Sequence, residues 1–162
     1  MDIINYPENE KPKRWAHLTL ALGNFDGLHR GHMKLVEQVQ RRSNENGMAA
    51  AVLYFDPHPS RIVRPDKAPR ILMTNAQKLE EFSRLGIDLA AIVRFTTGLS
   101  HWKPEKFVQE ILVAWLRVSE VWVGANFLFG HNRAGNFSLL RSLGIKHGFK
   151  VEKIDSVRYK DF

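Results

Sequence analysis

The sequence contains no cysteine, which excludes disulfide bonds and thiolate metal sites. No apolar run approaches the roughly 20 residues that a membrane-spanning helix needs. The opening segment, MDIINYPENEKPKRW, also lacks the apolar stretch that a secretory signal carries. These absences predict a soluble, cytoplasmic protein that contacts no membrane.

Acidic residues are fewer than basic ones, 17 against 24, so the formal net charge is +7. Such a surplus suits an anionic partner, either nucleic acid or a small phosphorylated ligand. The basic residues are dispersed, with no block of about five or six together. This dispersion favours nucleotides and phosphorylated metabolites and disfavours a nucleic-acid groove.

Apolar runs alternate with amphipathic helical patterns along the 162 residues. Strands are predicted at 17–23, 48–55, 88–95, 119–124 and 149–155, and helices at 30–46, 75–85, 104–116 and 137–147. This alternation predicts an α/β fold, a Rossmann-like doubly wound parallel sheet of about five strands with helices on both faces. Segment 56–74 holds four of the seven prolines and is predicted to be a long loop without a regular helix.

Three unusual segments, 23–32, 56–70 and 124–136, each follow a predicted strand. In open parallel sheets, ligands bind beyond the carboxyl ends of the strands, where the strand order reverses. The three segments are therefore expected to meet at one edge of the sheet and to form the functional site there.

The first of these segments contains GNFDGLHRGH, in which His29 and His32 are three residues apart at the start of a predicted helix. Both imidazoles would lie in the first turn, where unpaired N–H groups and the helix dipole favour anions. Gly31 between them lets a phosphate approach closely, and Gly23 and Gly27 give the turn conformational freedom. The pattern predicts a phosphate site with two hydrogen-bond donors.

Other interpretations of this segment are weaker. The two histidines could cap or pack the helix, but their glycine-rich setting favours phosphate binding. A zinc site would need a third ligand besides the two imidazoles, and only Asp26 is near, so no metal site is predicted. The dinucleotide fingerprint G-x-G-x-x-G is not present in this loop.

HRGH resembles the H-x-G-H signature of the nucleotidylyltransferase superfamily. The longer series GNFDGLHRGH, FDPHPSRIV, ILMTNAQKLEEFSRLGID and VGANFLFGHNRAGN is more specific. In order and spacing it resembles the FMN adenylyltransferase module of prokaryotic FAD synthetases, which is usually fused to a riboflavin kinase. The resemblance runs from about Leu18 to the last predicted strand.

The resemblance implies that ATP, with Mg²⁺ on its triphosphate, reacts with FMN to give FAD and pyrophosphate. The FMN phosphate attacks the α-phosphorus in line, and His29 and His32 are the implied catalytic residues. The nucleotide would be bound by residues of the same segment: Gly23, Asn24, Phe25, Asp26 and Gly31.

The resemblance also implies a flavin site built from the other two segments. In DPHPSRIV, Pro57 and His58 would belong to a flap over the flavin, and Ile62 or Val63 would touch its ring. Arg61 and Arg64 could contact phosphate. Without the resemblance, a solvated proline-rich loop is the preferred interpretation of this segment.

In VGANFLFGHNRAGN, the Asn126 amide suits the polar edge of a flavin or a base, and Phe129 can stack on a ring. One of Phe127 and Phe129 is expected to belong to the core. Arg133 could reach a phosphate.

One family signature, Ser-Ser-Thr-x-x-Arg, which grips the β- and γ-phosphates, does not occur in the sequence. Residues 1–162 are therefore expected to form a single adenylyltransferase-like domain that stops before this signature and lacks the kinase. The alternative to an active enzyme is a non-catalytic remnant or fragment that binds nucleotide or flavin. The oligomeric state stays open.

Overall fold

A computed structural model describes residues 1–25, 30–67 and 73–154. Within these residues, six strands form one parallel sheet in the order β1-β4-β3-β2-β5-β6. The strands are β1 Asp2–Tyr6, β2 Leu18–Leu22, β3 Ala49–Asp56, β4 Leu89–Arg94, β5 Glu120–Val123 and β6 Lys150–Lys153. The predicted doubly wound parallel sheet is confirmed, with one strand more than predicted.

Helices connect the strands and cover both faces of the sheet. They are α1 Arg30–Asn46, α2 Pro59–Val63, α3 Asn75–Arg84, α4 Thr97–Ser100, α5 Pro104–Phe107, a π-helix Val108–Trp115, and α6 Phe137–His147. Helix α3 begins with a capping box, in which Thr74 and Gln77 bond to each other's backbone N–H. Helix α6 ends at Gly148, which adopts the left-handed conformation that helix ends commonly need.

Alternate residues of each central strand enter two separate cores. In β3, Ala50, Val52 and Tyr54 face the core that also contains Val36 of α1 and Phe82 of α3. The intervening residues of β3 face the larger core that contains the π-helix and α6. The central strands are apolar throughout because both of their faces are covered.

Strand β1 is the strand that sequence reasoning missed. Within the described residues it lies at the edge of the sheet, and it pairs with β4 from Asp2 opposite Leu89 to Tyr6 opposite Val93. Of its residues only Ile4 is buried, and Ile3 is 46% exposed. An edge strand with one buried side chain leaves little hydrophobic periodicity in the sequence. Its pairing with β4 is therefore visible only in the tertiary structure.

Two predicted elements differ from those found. The proline-rich segment was expected to exclude a regular helix, yet α2 occupies Pro59–Val63. Proline is tolerated at the first position of a helix, where its missing N–H has no intrahelical partner. The predicted helix 104–116 is present, but it widens after Phe107 into the π-helix, where the Leu116 N–H bonds to the Ile111 carbonyl at 3.0 Å.

In the part of the chain that the structure describes, no helix combines the length and the apolar character required to cross a membrane.

Candidate active site

The candidate site lies at the carboxyl ends of three neighbouring strands. β3, β2 and β5 are adjacent and parallel, so the segments that follow them leave the same edge of the sheet. Strands β3 and β4 lie on one side of β2, and β5 and β6 lie on the other. The strand order therefore reverses beside β2, which is where open α/β sheets bind ligands.

The segment after β2 is anchored by a buried aromatic ring. Phe25 is fully buried and has a φ of 51°, in the left-handed region that bulky residues rarely adopt. Its ring makes edge-on contacts with Phe82, at 5.4 Å between centroids, and with His32, at 5.1 Å. His32 is in the first turn of α1, so the Phe25 ring contacts an imidazole at the start of that helix.

Asn24 carries two oxygen atoms of interest, one in its side chain and one in its backbone. Its side-chain oxygen Oδ1 is buried, and no donor in the described part of the chain bonds to it. Its backbone oxygen accepts a hydrogen bond from the Lys78 ammonium at 3.5 Å. A buried oxygen without a protein donor is suited to accept an N–H or O–H group of a ligand.

Lys78 of α3 and Tyr54 of β3 lie beside the segment that follows β2. The Lys78 side chain is nearly buried, and its ammonium lies 5.0 Å from the centroid of the Tyr54 ring. The Tyr54 hydroxyl donates a hydrogen bond to Oδ1 of Asn75 at the start of α3. Burial, with a smaller contribution from the charge of Asp56, raises the pKa of Tyr54, so its hydroxyl stays neutral and remains a donor.

The segment after β3 turns into α2 and presents an apolar side chain to solvent. The carbonyl oxygen of His58 accepts a hydrogen bond from the Arg61 N–H at 2.9 Å, which closes the first turn. The Pro57 and His58 side chains are half-buried, the Arg61 side chain is exposed, and Val63 is 59% exposed. Val63 thus leaves an apolar side chain on the surface of the segment that follows β3.

An aromatic series links the end of β3 to the segment after β5. Phe95 contacts Phe55 at 5.4 Å between centroids, and Phe55 contacts Phe107 at 5.8 Å. Phe107 contacts Phe129 at 5.9 Å, and Phe129 stacks on Phe127 at 5.6 Å with an angle of 16° between the rings. Phe129 is buried in the core, whereas Phe127, at the end of the series, is only partly buried.

Other side chains of the segment after β5 are exposed. Asn126 and Arg133 are exposed, and Leu128 is 48% exposed. Gly130, with a φ of 81°, packs against Pro104 at the start of α5. The backbone there is held by the pairing of Phe129 with Gly135, whose N–H and carbonyl groups exchange hydrogen bonds at 2.8 and 3.1 Å.

The model of the FAD synthetase family matches residues 11–162. The chain belongs to this family. Its relatives include proteins named bifunctional riboflavin kinase/FMN adenylyltransferase from Escherichia coli K12 and Pseudomonas fluorescens. The first is 36% identical over 82% of this chain and 42% of its own length, and the second is 35% identical over 97% of this chain and 50% of its own. The chain spans about half the length of the curated relatives it matches.

The crystal structure of a protein described as a macrolide-efflux protein from Streptococcus pneumoniae has the same fold as this FAD synthetase-family chain. The TM-score is 0.80, and the match covers 99% of this chain and 52% of that one. The two sequences are 15% identical, so this likeness concerns the fold alone.

The contacts in this FAD synthetase-family chain bring some of the predicted site residues together. Asn24, Phe25 and His32 form one cluster, with Gly23 at the end of β2 and Gly31 in α1. His29 and Asp26 lie outside the described residues. The assigned contacts with ligands stay predictions for every residue of this cluster.

The residues predicted to contact flavin or its phosphate lie on the other two segments. Pro57, His58, Arg61 and Val63 follow β3, and Asn126, Phe129 and Arg133 follow β5. Their roles also stay predictions. Phe129 is buried in the core, as expected for one of the two phenylalanines, and Phe127 is partly buried.

Sequence reasoning missed Lys78 and Tyr54. A signal was present, because Lys78 lies four residues before the inward-facing Phe82 and therefore shares its face of α3. Lysine on a helix is normally solvated, and only the tertiary structure shows this one against the candidate site.

Proposed function

We propose that this chain transfers the AMP group of ATP to FMN, giving FAD and pyrophosphate. The observation that carries the proposal is the place of His32, in the first turn of α1, against the segment that leaves β2 at the switch point of the sheet. Membership of the FAD synthetase family and the names of the relatives support the same reaction.

In the proposed reaction, an oxygen of the FMN phosphate attacks the α-phosphorus of ATP. A new P–O bond forms, the bond from the α-phosphorus to the β-phosphate oxygen breaks, and pyrophosphate leaves. The imidazoles of His32 and His29 donate hydrogen bonds as charge grows on the phosphate oxygens, and the N-terminus of α1 adds its dipole. No covalent enzyme intermediate is needed, so catalysis consists of positioning and charge stabilisation.

The substrate is MgATP. Among the described residues, no group of three or more His, Cys, Asp or Glu side chains is arranged to hold a metal ion. Magnesium is commonly bound through substrate phosphates and a few protein oxygens. We therefore assign the ion to the triphosphate. The buried Oδ1 of Asn24 is the acceptor that we assign to the nucleotide, beside the backbone of Gly23.

The flavin ring is assigned to the edge of the aromatic series. Phe127, partly buried and backed by Phe129, offers an aromatic face, and Val63 and Leu128 offer exposed apolar surface. The Asn126 amide can both donate to and accept from the polar edge of the ring. Arg61 and Arg133 are exposed on the same two segments and supply positive charge for the FMN phosphate.

The test is FAD formation from FMN and MgATP, followed by chromatography of the products. His32→Ala should lower the rate about 100-fold or more, because one donor to the developing charge is lost. His17→Ala, at an exposed residue just before β2, is the matched control and should behave as wild type. Riboflavin in place of FMN should give no product, because it lacks the attacking phosphate. A wild-type chain that forms no FAD, or a His32→Ala variant of normal rate, contradicts the proposal.

A further inference from the structure

Lys78 is a cation at the candidate site that the proposed reaction does not use. Its side chain is 9% exposed, although lysine is rarely this buried unless its charge is satisfied. The ammonium lies 3.5 Å from the backbone oxygen of Asn24 and 5.0 Å from the centroid of the Tyr54 ring. These two contacts place the charge beside the segment after β2.

The oxygen that Lys78 contacts belongs to the peptide unit between Asn24 and Phe25. The φ angle of Phe25 describes rotation of the chain relative to that peptide plane, and its value is 51°. Residues with a β-carbon rarely adopt this conformation, because the β-carbon approaches the backbone closely. A hydrogen bond to the carbonyl oxygen fixes the plane from which this unusual turn begins.

The turn at Phe25 determines where the aromatic ring lies, and the ring in turn contacts His32. The two rings meet edge-on, at 5.1 Å between centroids and an angle of 63°. On its other side the Phe25 ring is held by Phe82, which is also on α3. Lys78 and Phe82 are four residues apart on one helix. Lys78 thus contacts the Asn24 carbonyl that precedes Phe25, and Phe82 contacts the Phe25 ring.

We propose that Lys78 is a positioning residue for adenylyl transfer, which acts through the Asn24 carbonyl and the Phe25 ring on the imidazole of His32. The effect that this inference predicts on the rate of FAD formation rests on the proposed function. Its structural consequence, the orientation of the His32 ring, is measurable without any turnover.

The first measurement is the NMR spectrum of the histidine side chains. In Lys78→Met, a change of similar volume that removes the ammonium, the ring-proton signals of His32 should move because the Phe25 ring current acts on them differently. Phe25→Leu, which lacks the ring, gives the direction of the shift. The signals of His17 should not move, and Lys146→Met, at an exposed lysine of α6, should leave the His32 and His17 signals unchanged.

The second measurement is the steady-state rate of FAD formation. Lys78→Met should lower kcat about tenfold or more, as misplaced reacting groups do. The KM for FMN should stay within about twofold, because the flavin contacts are on other segments. Lys78→Arg, which keeps the charge and the donors, should recover most of kcat, and Lys146→Met should match wild type.

The two measurements separate the inference from the function on which it rests. A wild-type chain that forms no FAD contradicts the proposed function, and the His32 signals then decide the positioning role alone. Unchanged His32 signals in Lys78→Met, with the fold retained, overturn the inference whatever the rate. If Lys78→Met does not fold, Lys78→Gln is measured in its place with the same two outcomes.

Discussion

The Arg42 guanidinium and the Glu120 carboxylate form a bidentate ion pair between α1 and β5. The two residues are 78 positions apart in the chain. Arg42 Nε and Nη2 lie 3.0 and 3.2 Å from the two carboxylate oxygens. The Trp122 indole N–H donates to the same carboxylate at 2.6 Å. Helix α1 follows β2, so this pair ties the helix of the candidate site to the strand on the other side of the switch point.

Removing Arg42 should destabilise the fold. Glu120 is 2% exposed, and Arg42→Met would leave its carboxylate buried with only the indole donor. We expect a loss of about 2–4 kcal/mol in the free energy of unfolding, measured with urea. Arg41→Met, at the exposed neighbouring residue, is the control and should change it by less than about 0.5 kcal/mol. Equal effects of the two substitutions would mean that the pair does not stabilise the protein.

The same carboxylate should make stability depend on pH. Burial alone would raise the pKa of Glu120, but hydrogen bonds from Arg42 and Trp122 outweigh it, and the pKa is lowered from the ordinary value of 4.5. A lowered pKa in the folded state stabilises the protein above the unfolded pKa, and this contribution is lost as the pH falls through the folded pKa. The gap in unfolding free energy between wild type and Glu120→Gln should therefore be widest near neutral pH and narrow in acid. A gap that stays constant or widens in acid contradicts this prediction.

Gly130 should be intolerant of a side chain. A β-carbon there would lie 2.6 Å from Pro104, and the φ of 81° disfavours any residue other than glycine. Gly130→Ala should lower the free energy of unfolding by about 1–3 kcal/mol. It should also weaken FMN binding, because the segment after β5 could no longer pack closely against Pro104 of α5. Gly124→Ala, in the same segment but with no atom near its β-carbon, is the stability control. Similar unfolding free energies for the two variants would refute the steric explanation.

Two exposed apolar side chains at the site should matter for flavin and not for folding. Val63 and Leu128 are 59% and 48% exposed, so Val63→Ser and Leu128→Ser should change stability by less than about 0.5 kcal/mol. If the flavin ring covers them, each substitution should weaken FMN binding about threefold or more in titration calorimetry. Ile145→Ser, at a position on α6 that is 78% exposed, should leave FMN affinity unchanged. Unaltered affinity in both site variants would place the flavin elsewhere.

Elements with strong local signals were predictable to the residue. Helices α1 and α6 occupy the predicted ranges 30–46 and 137–147, because an apolar stripe and a following glycine act within a few residues of chain. Helix α6 is also capped by the Asn136 side chain. The π-helix was not predictable, since its wider turn depends on how Ile111 and Leu116 pack into the core. Strand β1 was missed for a related reason: it exists only because β4 offers an edge.

The candidate site also has features that the sequence predicted and features that only the tertiary structure shows. The glycines and histidines after β2 were recognisable from their spacing alone, and so was the expectation that one phenylalanine of the segment after β5 belongs to the core. That Phe129 is the buried one, and that Lys78 lies against Asn24, depend on neighbours far away in the chain.

The sequence alone determined the alternation of strands and helices, the segments that carry the site, and the family resemblance. These follow from side-chain periodicity, capping and short motifs, which act over a few residues. The tertiary structure alone decided the strand order, the edge position of β1, the left-handed turn at Phe25 and the burial of Lys78. Strand pairing and the burial of a charge depend on the free energy of contacts between distant segments, which no local pattern encodes.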